Sequence, residues 1–196
     1  MHSKLKIMAT KIWALDPTHS EVQFKIKHLM ITNVTGSFDI FNASVKTKEE
    51  DFTKSKISFT ADVNSISTGN EQRDGHLKST DFFDAEKFPQ IKFEATKTES
   101  IDNDGSFDLY GDLTLRDVTK NVKFAVEFGG VVKDPYGNTK AGFTINGKIN
   151  RKDFGLTWNA VTEAGGVVVS DDVRIVAEIQ LVEQLVAEEL ELTEQA

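Results

Sequence analysis

Three of the four histidines in this 196-residue chain are the residues best suited to carry chemistry. His19, His28 and His76 offer imidazole, which ligates metals and transfers protons near neutral pH. No two of them have the spacing of a metal-binding motif such as H-E-x-x-H, and the sequence has no nucleophile elbow, Walker loop or G-x-G-x-x-G fingerprint. The simpler interpretation is that they satisfy hydrogen bonds or line the mouth of a pocket. The sequence therefore predicts no catalytic residue, no metal site and no cofactor.

A long polar segment, residues 64–93, joins two runs in which apolar and polar residues alternate, at 57–63 and 91–95. That alternation is the period of a half-buried strand. Connections longer than about 12 to 15 residues are uncommon in compact domains and are often lids or binding loops. The segment contains Arg73, Asp74, His76, Asp81, Phe82 and Phe83. We expect it to cover a site.

A second long connection, residues 150–172, precedes the last strand-like run. It contains Arg151, Asp153, Phe154 and Trp158. The charged residues of both connections are either local salt bridges, worth about 0 to 1 kcal/mol when exposed, or groups that hold the connections against the rest of the fold. Acidic residues are plentiful, but no spacing singles out the facing carboxylate pair that glycoside hydrolysis requires.

Alternating apolar residues predict about eight β-strands, separated by turns such as 102–105 and 134–138 and by a charged stretch, 46–56, that we interpret as a solvated loop. An antiparallel sheet must cover or join its edges, and closure into a barrel removes them. A barrel of about eight strands is either filled by side chains or wide enough for one small ligand. The predicted fold is all-β, and the strand pattern leaves both interiors open.

Phenylalanine dominates the aromatic residues, with fourteen Phe against two Tyr. The alternation points these rings inward: Phe24, Phe38, Phe59, Phe93, Phe124, Phe128 and Phe143. They form either a packed core or the wall of an apolar cavity. Gly111 and Gly147 lie on or near the inward register and favour a cavity, because a filled core gains little from missing side chains.

Composition narrows the functional classes. The absence of cysteine excludes a disulfide framework, a thiolate metal site and a Cys nucleophile. The formal net charge of −8 argues against a nucleic-acid partner, since such proteins present a basic face. No apolar run approaches the roughly 18 residues of a membrane span, and the first residues lack the roughly 7 to 15 apolar residues of a secretory signal. We expect a soluble, cytoplasmic protein.

Length and uniform composition predict a single domain. We expect residues 1–11 to be a disordered leader, residues 12–183 to form the barrel, and the acidic residues 184–196 to be a poorly ordered tail.

Short motifs follow one another along the chain: Asp16-Pro17-Thr18-His19-Ser20, residues 24–29, Gly36-Ser37-Phe38, residues 65–77, Asp81-Phe82-Phe83-Asp84, Phe88-Pro89, Gly111-Asp112-Leu113-Thr114, Val118-Thr119-Lys120, residues 150–155 and Asp172-Val173. Their order and spacing from about Trp13 to Leu181 resemble the YceI-like, polyisoprenoid-binding family.

The resemblance implies an extended, lipocalin-like antiparallel β-barrel with short helical segments in its long connections. Its internal pocket would take a polyisoprenoid, such as a polyprenyl phosphate or the tail of an isoprenoid quinone, and some members would be homodimers. The ligand-binding residues implied by matching motifs are His28, Arg73, His76, Phe82, Phe83, Arg151, Asp153 and Trp158. The inward-facing rings that complete the set are Phe24, Phe38, Phe93, Phe124 and Phe143.

In this interpretation apolar walls remove the isoprenoid from water, while Arg73 and the histidines orient its head group. The long segment has few basic residues, which favours a weakly charged head such as a quinone. Two alternatives stay open. One is an enzyme acting on a bound isoprenoid, or a metal-assisted hydrolase, that uses His19, His28 and His76; the other is a packed barrel that acts through its surface in a stress response. Many members of the family work in the periplasm, which is the alternative location.

Overall fold

The computed structural model describes residues 10–48, 51–101, 103–163 and 165–184. Its strands are β1 (Thr10–Leu15), β2 (Glu21–His28), β3 (Thr32–Phe38), β4 (Phe41–Lys48), β5 (Asp51–Asp62), β6 (Ile66–Ser67), β7 (Gln90–Ser100), β8 (Phe107–Leu115), β9 (Val118–Lys133), β10 (Thr139–Asn150) and β11 (Val169–Gln184). Its helical elements are α1 (Glu71–Lys78) and the 3₁₀ turns Val63–Ser65 and Arg151–Phe154. Most of the predicted leader and tail lies outside the described residues.

Eight of the strands close a ring. Their order is β1-β4-β5-β7-β8-β9-β10-β11, and β11 pairs back to β1 through partners such as Leu15 and Leu181. All pairings between the named strands are antiparallel. The predicted all-β, antiparallel, lipocalin-like barrel is confirmed.

The period-two pattern decides which side chains enter the barrel. In β8, Phe107, Leu109, Leu113 and Leu115 are buried, whereas Asp112 between them is exposed. Successive side chains of a strand point to opposite faces, so the apolar set lines the interior and the polar set faces water.

The barrel is longer on one side, because β2, β3 and β6 extend the wall beyond β1, β4 and β5. The 16-residue strand β11 spans both levels: it pairs with β1 near Leu181 and with β2 from Val169 to Glu178. We call this extended end the mouth. The β2–β3 turn, α1 and the connection from β10 to β11 all lie there.

The opposite end is filled by four rings that we call the aromatic floor: Trp13, Phe52, Phe128 and Phe143. Phe52 lies at the centre, with its ring centroid 5.1 Å from that of Trp13 and 4.9 Å from that of Phe143. The Trp13 indole is fully buried and donates to Thr47 Oγ1 at 3.2 Å. Tilted and edge-on ring pairs of this kind add to the stabilisation from burial alone.

The floor corrects the interpretation of residues 46–56 as a solvated loop. β4 continues to Lys48, β5 begins at Asp51, and Phe52 is 4% exposed. The β4–β5 pairing shifts register between Lys46 and Lys48, which turns Phe52 inward against the parity of the rest of its strand. A register shift leaves no mark on an alternation pattern, so the sequence concealed this residue.

Candidate functional site

A cavity of about 410 Å³ occupies the barrel above the aromatic floor. Ligand pockets usually measure about 300 to 1,000 Å³ and are mostly apolar with a few polar groups. The walls of this one are almost wholly aliphatic and aromatic, with residues such as Val22, Ile26, Leu113, Ile145 and Ile175. The barrel is therefore hollow above its floor.

The predicted ligand residues converge on this cavity, with one exception. Those that line it are Phe24, His28, Phe38, Arg73, His76, Phe82, Phe83, Phe93, Phe124, Phe143, Arg151 and Trp158. Asp153 does not, and its prediction as a pocket residue is wrong. It lies in the 3₁₀ turn Arg151–Phe154, where residues three apart share a face. Arg151 and Phe154 take the buried face, which leaves Asp153 exposed on the outer surface.

Three inward glycines stand opposite three of these rings. An added Cβ on Gly147 would lie 2.7 Å from Cε1 of Phe124, and one on Gly36 would lie 2.7 Å from Cε1 of Phe24. At Gly111 it would lie 2.5 Å from Cε2 of Phe93. Each glycine therefore makes room for the ring of a neighbouring strand and leaves no open space at its own position. They let the rings lie along the wall, and the open volume is in the middle of the barrel.

The long polar segment partly covers the mouth, as expected. Its helix α1 begins at the N-cap Asn70, whose side chain accepts from the Arg73 backbone N–H at 2.9 Å. The His76 ring stands edge-on to Phe82 and Trp158, with centroids 5.1 and 4.8 Å away. We call these three residues the mouth cluster. It brings the two long connections together over the cavity.

An acidic side chain fixes the orientation of His76. Asp81 Oδ2 lies 2.8 Å from His76 Nε2. A histidine bonded through one ring nitrogen presents a defined face to its other neighbours. Both groups are partly exposed, so the pair faces water at the rim of the cavity.

Arg73 is tied to the start of the segment rather than to Asp74. Its Nε donates to Thr68 Oγ1 at 2.7 Å and its Nη2 to the Thr68 carbonyl at 2.9 Å. Asp74 Oδ1 accepts from the Thr68 backbone N–H at 2.9 Å. These are the guanidinium's hydrogen bonds within the described residues, and they use two of its five N–H donors. The remaining donors are available to a ligand at the mouth.

Arg151 has a different environment. It is 2% exposed and donates to the carbonyls of Leu156 at 2.6 Å, Trp158 at 2.7 Å and Ser170 at 2.8 Å. Burial lowers the pKa of Arg151, and the Asp171 carboxylate 3.5 Å away opposes that shift. Its hydrogen bonds fasten the β10–β11 connection to the first residues of β11. Arg151 therefore positions Trp158, and most of its donors are occupied.

The three candidate histidines do not form one site. His28 and His76 line the cavity, whereas His19 lies outside it, at the break between β1 and β2. There His19 Nδ1 is 2.9 Å from Asp16 Oδ2. Within the described residues, no three His, Asp or Glu side chains are arranged to hold a metal ion.

Asp16 is the centre of a second polar cluster. Burial alone would raise the pKa of Asp16, but hydrogen bonds from Thr18, His19, Lys140 and Gln180 outweigh it and hold that pKa well below its ordinary value. The Lys140 and Gln180 contacts, at 3.1 and 2.9 Å, join this break to β10 and β11. The cluster stabilises the point where β1 passes into β2.

Sequence reasoning missed cavity residues that carry no distinctive chemistry. They include Thr68 and Leu77 beside α1, Val168 and Val169 at the start of β11, and Phe52 in the floor. Leu77 and Thr68 had a usable signal, because both fall within the densest of the recurring motifs. None of the helices in the described ranges is long and apolar enough to cross a bilayer.

A closed antiparallel ring around one apolar cavity, with a filled floor and a polar, aromatic mouth, defines a lipocalin-like ligand-binding architecture. The family model described as the YceI-like domain matches residues 13–181, so the chain belongs to the YceI-like family.

Relatives and solved structures agree with this assignment. The UPF0312 protein SA2479 of Staphylococcus aureus is 41% identical over 166 residues, which cover 84% of this chain and 94% of the relative. The crystal structure of a Campylobacter jejuni YCEI protein is 37% identical, with a TM-score of 0.70 over 87% of this chain and 97% of that one. A polyisoprenoid binding domain from Saccharophagus degradans, implicated in plant cell wall breakdown, shares the fold at 16% identity, with a TM-score of 0.64 over 88% of this chain and 98% of that domain.

Proposed function

We propose that this protein binds the chain of one polyisoprenoid lipid inside its barrel and carries or sequesters it without catalysing a reaction. The observation that carries the proposal is the cavity itself, about 410 Å³ of apolar space closed by the floor and open at the mouth. An isoprenoid chain loses unfavourable contact with water when it enters such a space, at about 25 cal/mol per Å² of apolar area.

The shape of the cavity supports a chain rather than a compact ligand. Its lining runs from Phe143 and Leu181 at the floor to His28 and Trp158 at the mouth, along the length of the barrel. The Saccharophagus degradans domain with the same fold is described as polyisoprenoid binding. A methyl-branched, unsaturated chain can pack against flat rings such as those of Phe24 and Phe124.

The mouth supports a head group that is neutral or weakly charged. Arg73 retains guanidinium donors, and the mouth cluster presents the His76 imidazole and the Phe82 and Trp158 rings. Of the two arginines in the described cavity lining, Arg151 already donates to backbone carbonyls, which leaves Arg73 to contact a head group and disfavours a pyrophosphate. We propose an isoprenoid quinone as the ligand class, with a polyprenyl phosphate as the alternative head.

The enzyme alternative has less support, because His19 lies away from His28 and His76 and cannot act with them on one bound molecule. We therefore propose binding without a cofactor.

Titration with a short-chain isoprenoid quinone tests the proposal. Trp158 lies at the mouth and Trp13 is buried in the floor, so a quinone in the cavity should quench tryptophan emission. We expect saturable quenching at one quinone per chain, reduced in the Trp158→Phe variant. A quinone ring without an isoprenoid tail is the matched control and should bind weakly. Equal binding of the tailed and tailless molecules would contradict the proposal.

A further inference from the structure

Three consecutive apolar residues form the exposed tip of the β2–β3 turn. Leu29, Met30 and Ile31 are 38%, 57% and 77% exposed. Single exposed apolar residues are ordinary on a soluble protein, whereas a contiguous exposed group marks an interaction surface.

The backbone of this tip has a conformation that bulky residues rarely adopt. Leu29 and Met30 have φ angles of 51° and 60°, and the Ile31 N–H donates to the His28 carbonyl at 3.2 Å. Two successive left-handed residues in a tight hairpin are normally supplied by Asn-Gly or Asp-Gly. Bulky side chains in this conformation destabilise the folded state. Because Leu29 and Met30 are exposed, burial of their side chains offsets little of that cost.

A second apolar tip stands beside the first. Val161 and Val167 are 75% and 44% exposed and are joined by a β-bridge in the β10–β11 connection. The Leu29 N–H donates to the Val168 carbonyl at 2.8 Å, which ties the two tips together. We call Leu29, Met30, Ile31, Val161 and Val167 the apolar rim. Its neighbours His28 and Val168 line the cavity, so the rim adjoins the mouth.

A row of cations crosses the outer face just below the rim. Lys148 of β10 pairs in register with Arg174 of β11, and Arg174 pairs with Lys25 of β2. All three are exposed, as is Lys27, which lies two residues further along β2 towards the rim and also borders the cavity at its edge. Like charges directly opposite each other in a sheet are destabilising. We call the first three cations the basic row: Lys148, Arg174 and Lys25.

Nearby carboxylates neutralise only part of this charge. Asp172 lies 2.9 Å from Lys148, and Asp171 lies 3.0 Å from Lys152. Glu163 is in the same connection as the second apolar tip. Within the described residues, Lys25, Lys27 and Arg174 make no ion pair closer than 4 Å. A positive surface on a chain of net charge −8 is a local feature and not a result of composition.

We infer that the mouth end docks on an anionic phospholipid bilayer, with the apolar rim entering the acyl boundary and the basic row, with Lys27, facing the head groups. Amphipathic surfaces bind membranes through this combination of apolar insertion and attraction to anionic lipids. The inference rests on the proposed function in one respect, since docking would let an isoprenoid pass between bilayer and cavity without crossing water.

The charge favours a bilayer over a second copy of the chain. A two-fold contact uses the same patch on both partners, so it would bring two copies of the basic row close to each other. An anionic surface instead compensates the like-charge crowding of Lys148, Arg174 and Lys25.

Co-sedimentation with vesicles tests the inference. We expect the wild-type protein to sediment with phosphatidylcholine vesicles containing about a third phosphatidylglycerol, and much less with phosphatidylcholine alone or at high salt. The double variant Met30→Ser/Ile31→Ser should bind these vesicles at least about tenfold more weakly than the wild type. The double variant Lys25→Gln/Arg174→Gln should lose about fivefold per charge together with most of the preference for anionic vesicles.

The matched control is Val132→Ser/Tyr136→Ser, at the opposite end of the barrel, where these two apolar residues are 64% and 90% exposed. It should bind vesicles like the wild type. Wild-type protein that stays in the supernatant, or rim variants that sediment as well as the wild type, would overturn the inference. A concentration-dependent dimer that the rim variant abolishes, without vesicle binding, would assign the surface to a second copy instead.

Quinone titration without vesicles separates this inference from the proposed function. None of the residues changed in these variants lines the cavity, so quinone affinity in solution should be unchanged in all of them. Quinone binding without vesicle binding would overturn docking alone. Vesicle binding without quinone binding would support docking and contradict the proposed ligand.

Discussion

Phe124 of β9 lies directly across the sheet from Gly147 of β10, and its ring occupies the space that a side chain at position 147 would take. Phe24 and Gly36 repeat the arrangement between β2 and β3. An aromatic side chain that covers a glycine on the neighbouring strand replaces the missing packing. The rings therefore lie along the wall, which keeps the centre of the barrel open for a ligand.

Replacing Gly147 with valine should close part of the cavity. The new side chain would push the Phe124 ring into the lumen, which should weaken quinone binding at least about tenfold and cost about 1 to 3 kcal/mol of stability through overpacking. Quinone titration and urea unfolding measure the two effects. Gly142→Ala is the control, since an added Cβ there has no atom within 4 Å. Full quinone affinity in Gly147→Val would show that the Phe124 ring does not border the bound ligand.

Phe83→Arg should abolish isoprenoid binding while the barrel still folds. Phe83 lines the cavity, is only partly buried and stands edge-on to Phe38 at 6.2 Å. A guanidinium there would be costly to cover with an apolar chain. Quinone titration and far-ultraviolet circular dichroism test this. Ile40→Arg, at an apolar position that is 62% exposed and not part of the lining, should bind normally. Unchanged binding would remove Phe83 from the site.

Arg151→Met should loosen the mouth and destabilise the protein. The variant leaves the Leu156, Trp158 and Ser170 carbonyls without their charged donor, with an expected cost of about 3 to 5 kcal/mol. Urea unfolding measures the stability, and the emission of Trp158 reports whether the mouth cluster has shifted. Lys152→Met, the exposed neighbour paired with Asp171, should cost about 1 kcal/mol or less. Similar stabilities for the two variants would refute the clamping role of Arg151.

Asp16→Asn should lower stability in a pH-dependent way. Hydrogen bonds hold the pKa of folded Asp16 below the value of about 3.9 expected in the unfolded chain. Its contribution is therefore fully present above that pH and is lost as the pH falls towards the folded pKa. The variant should be about 1 to 3 kcal/mol less stable near neutrality, and the difference should shrink below about pH 4.

Urea unfolding of the Asp16→Asn variant and wild type across this pH range is the measurement. The control is Asp172→Asn, which removes a carboxylate from an exposed pair with Lys148 and should change the free energy of unfolding by about 1 kcal/mol or less. A difference between Asp16→Asn and wild type that does not vary with pH would contradict the account of this cluster.

The barrel was predictable from sequence because β8 alternates buried and outward residues along its whole length and the other strands do so over most of theirs. Much of the cavity lining followed from the same parity together with the motifs. Phe52 was not predictable, because a register shift turned it inward. Asp153 was placed wrongly because the sequence motif does not show which face of the 3₁₀ turn is buried. Gly111 and Gly147 favoured a cavity, and the barrel contains one, but the alternation pattern cannot show that a neighbouring ring lies over each of them.

Native mass spectrometry of detergent-free protein, combined with organic extraction, tests the central claim most directly. The account predicts a co-purifying isoprenoid close to one per chain, lost in Phe83→Arg and retained in Ile40→Arg. A protein that purifies empty and also refuses added isoprenoid quinones and polyprenyl phosphates would contradict the account.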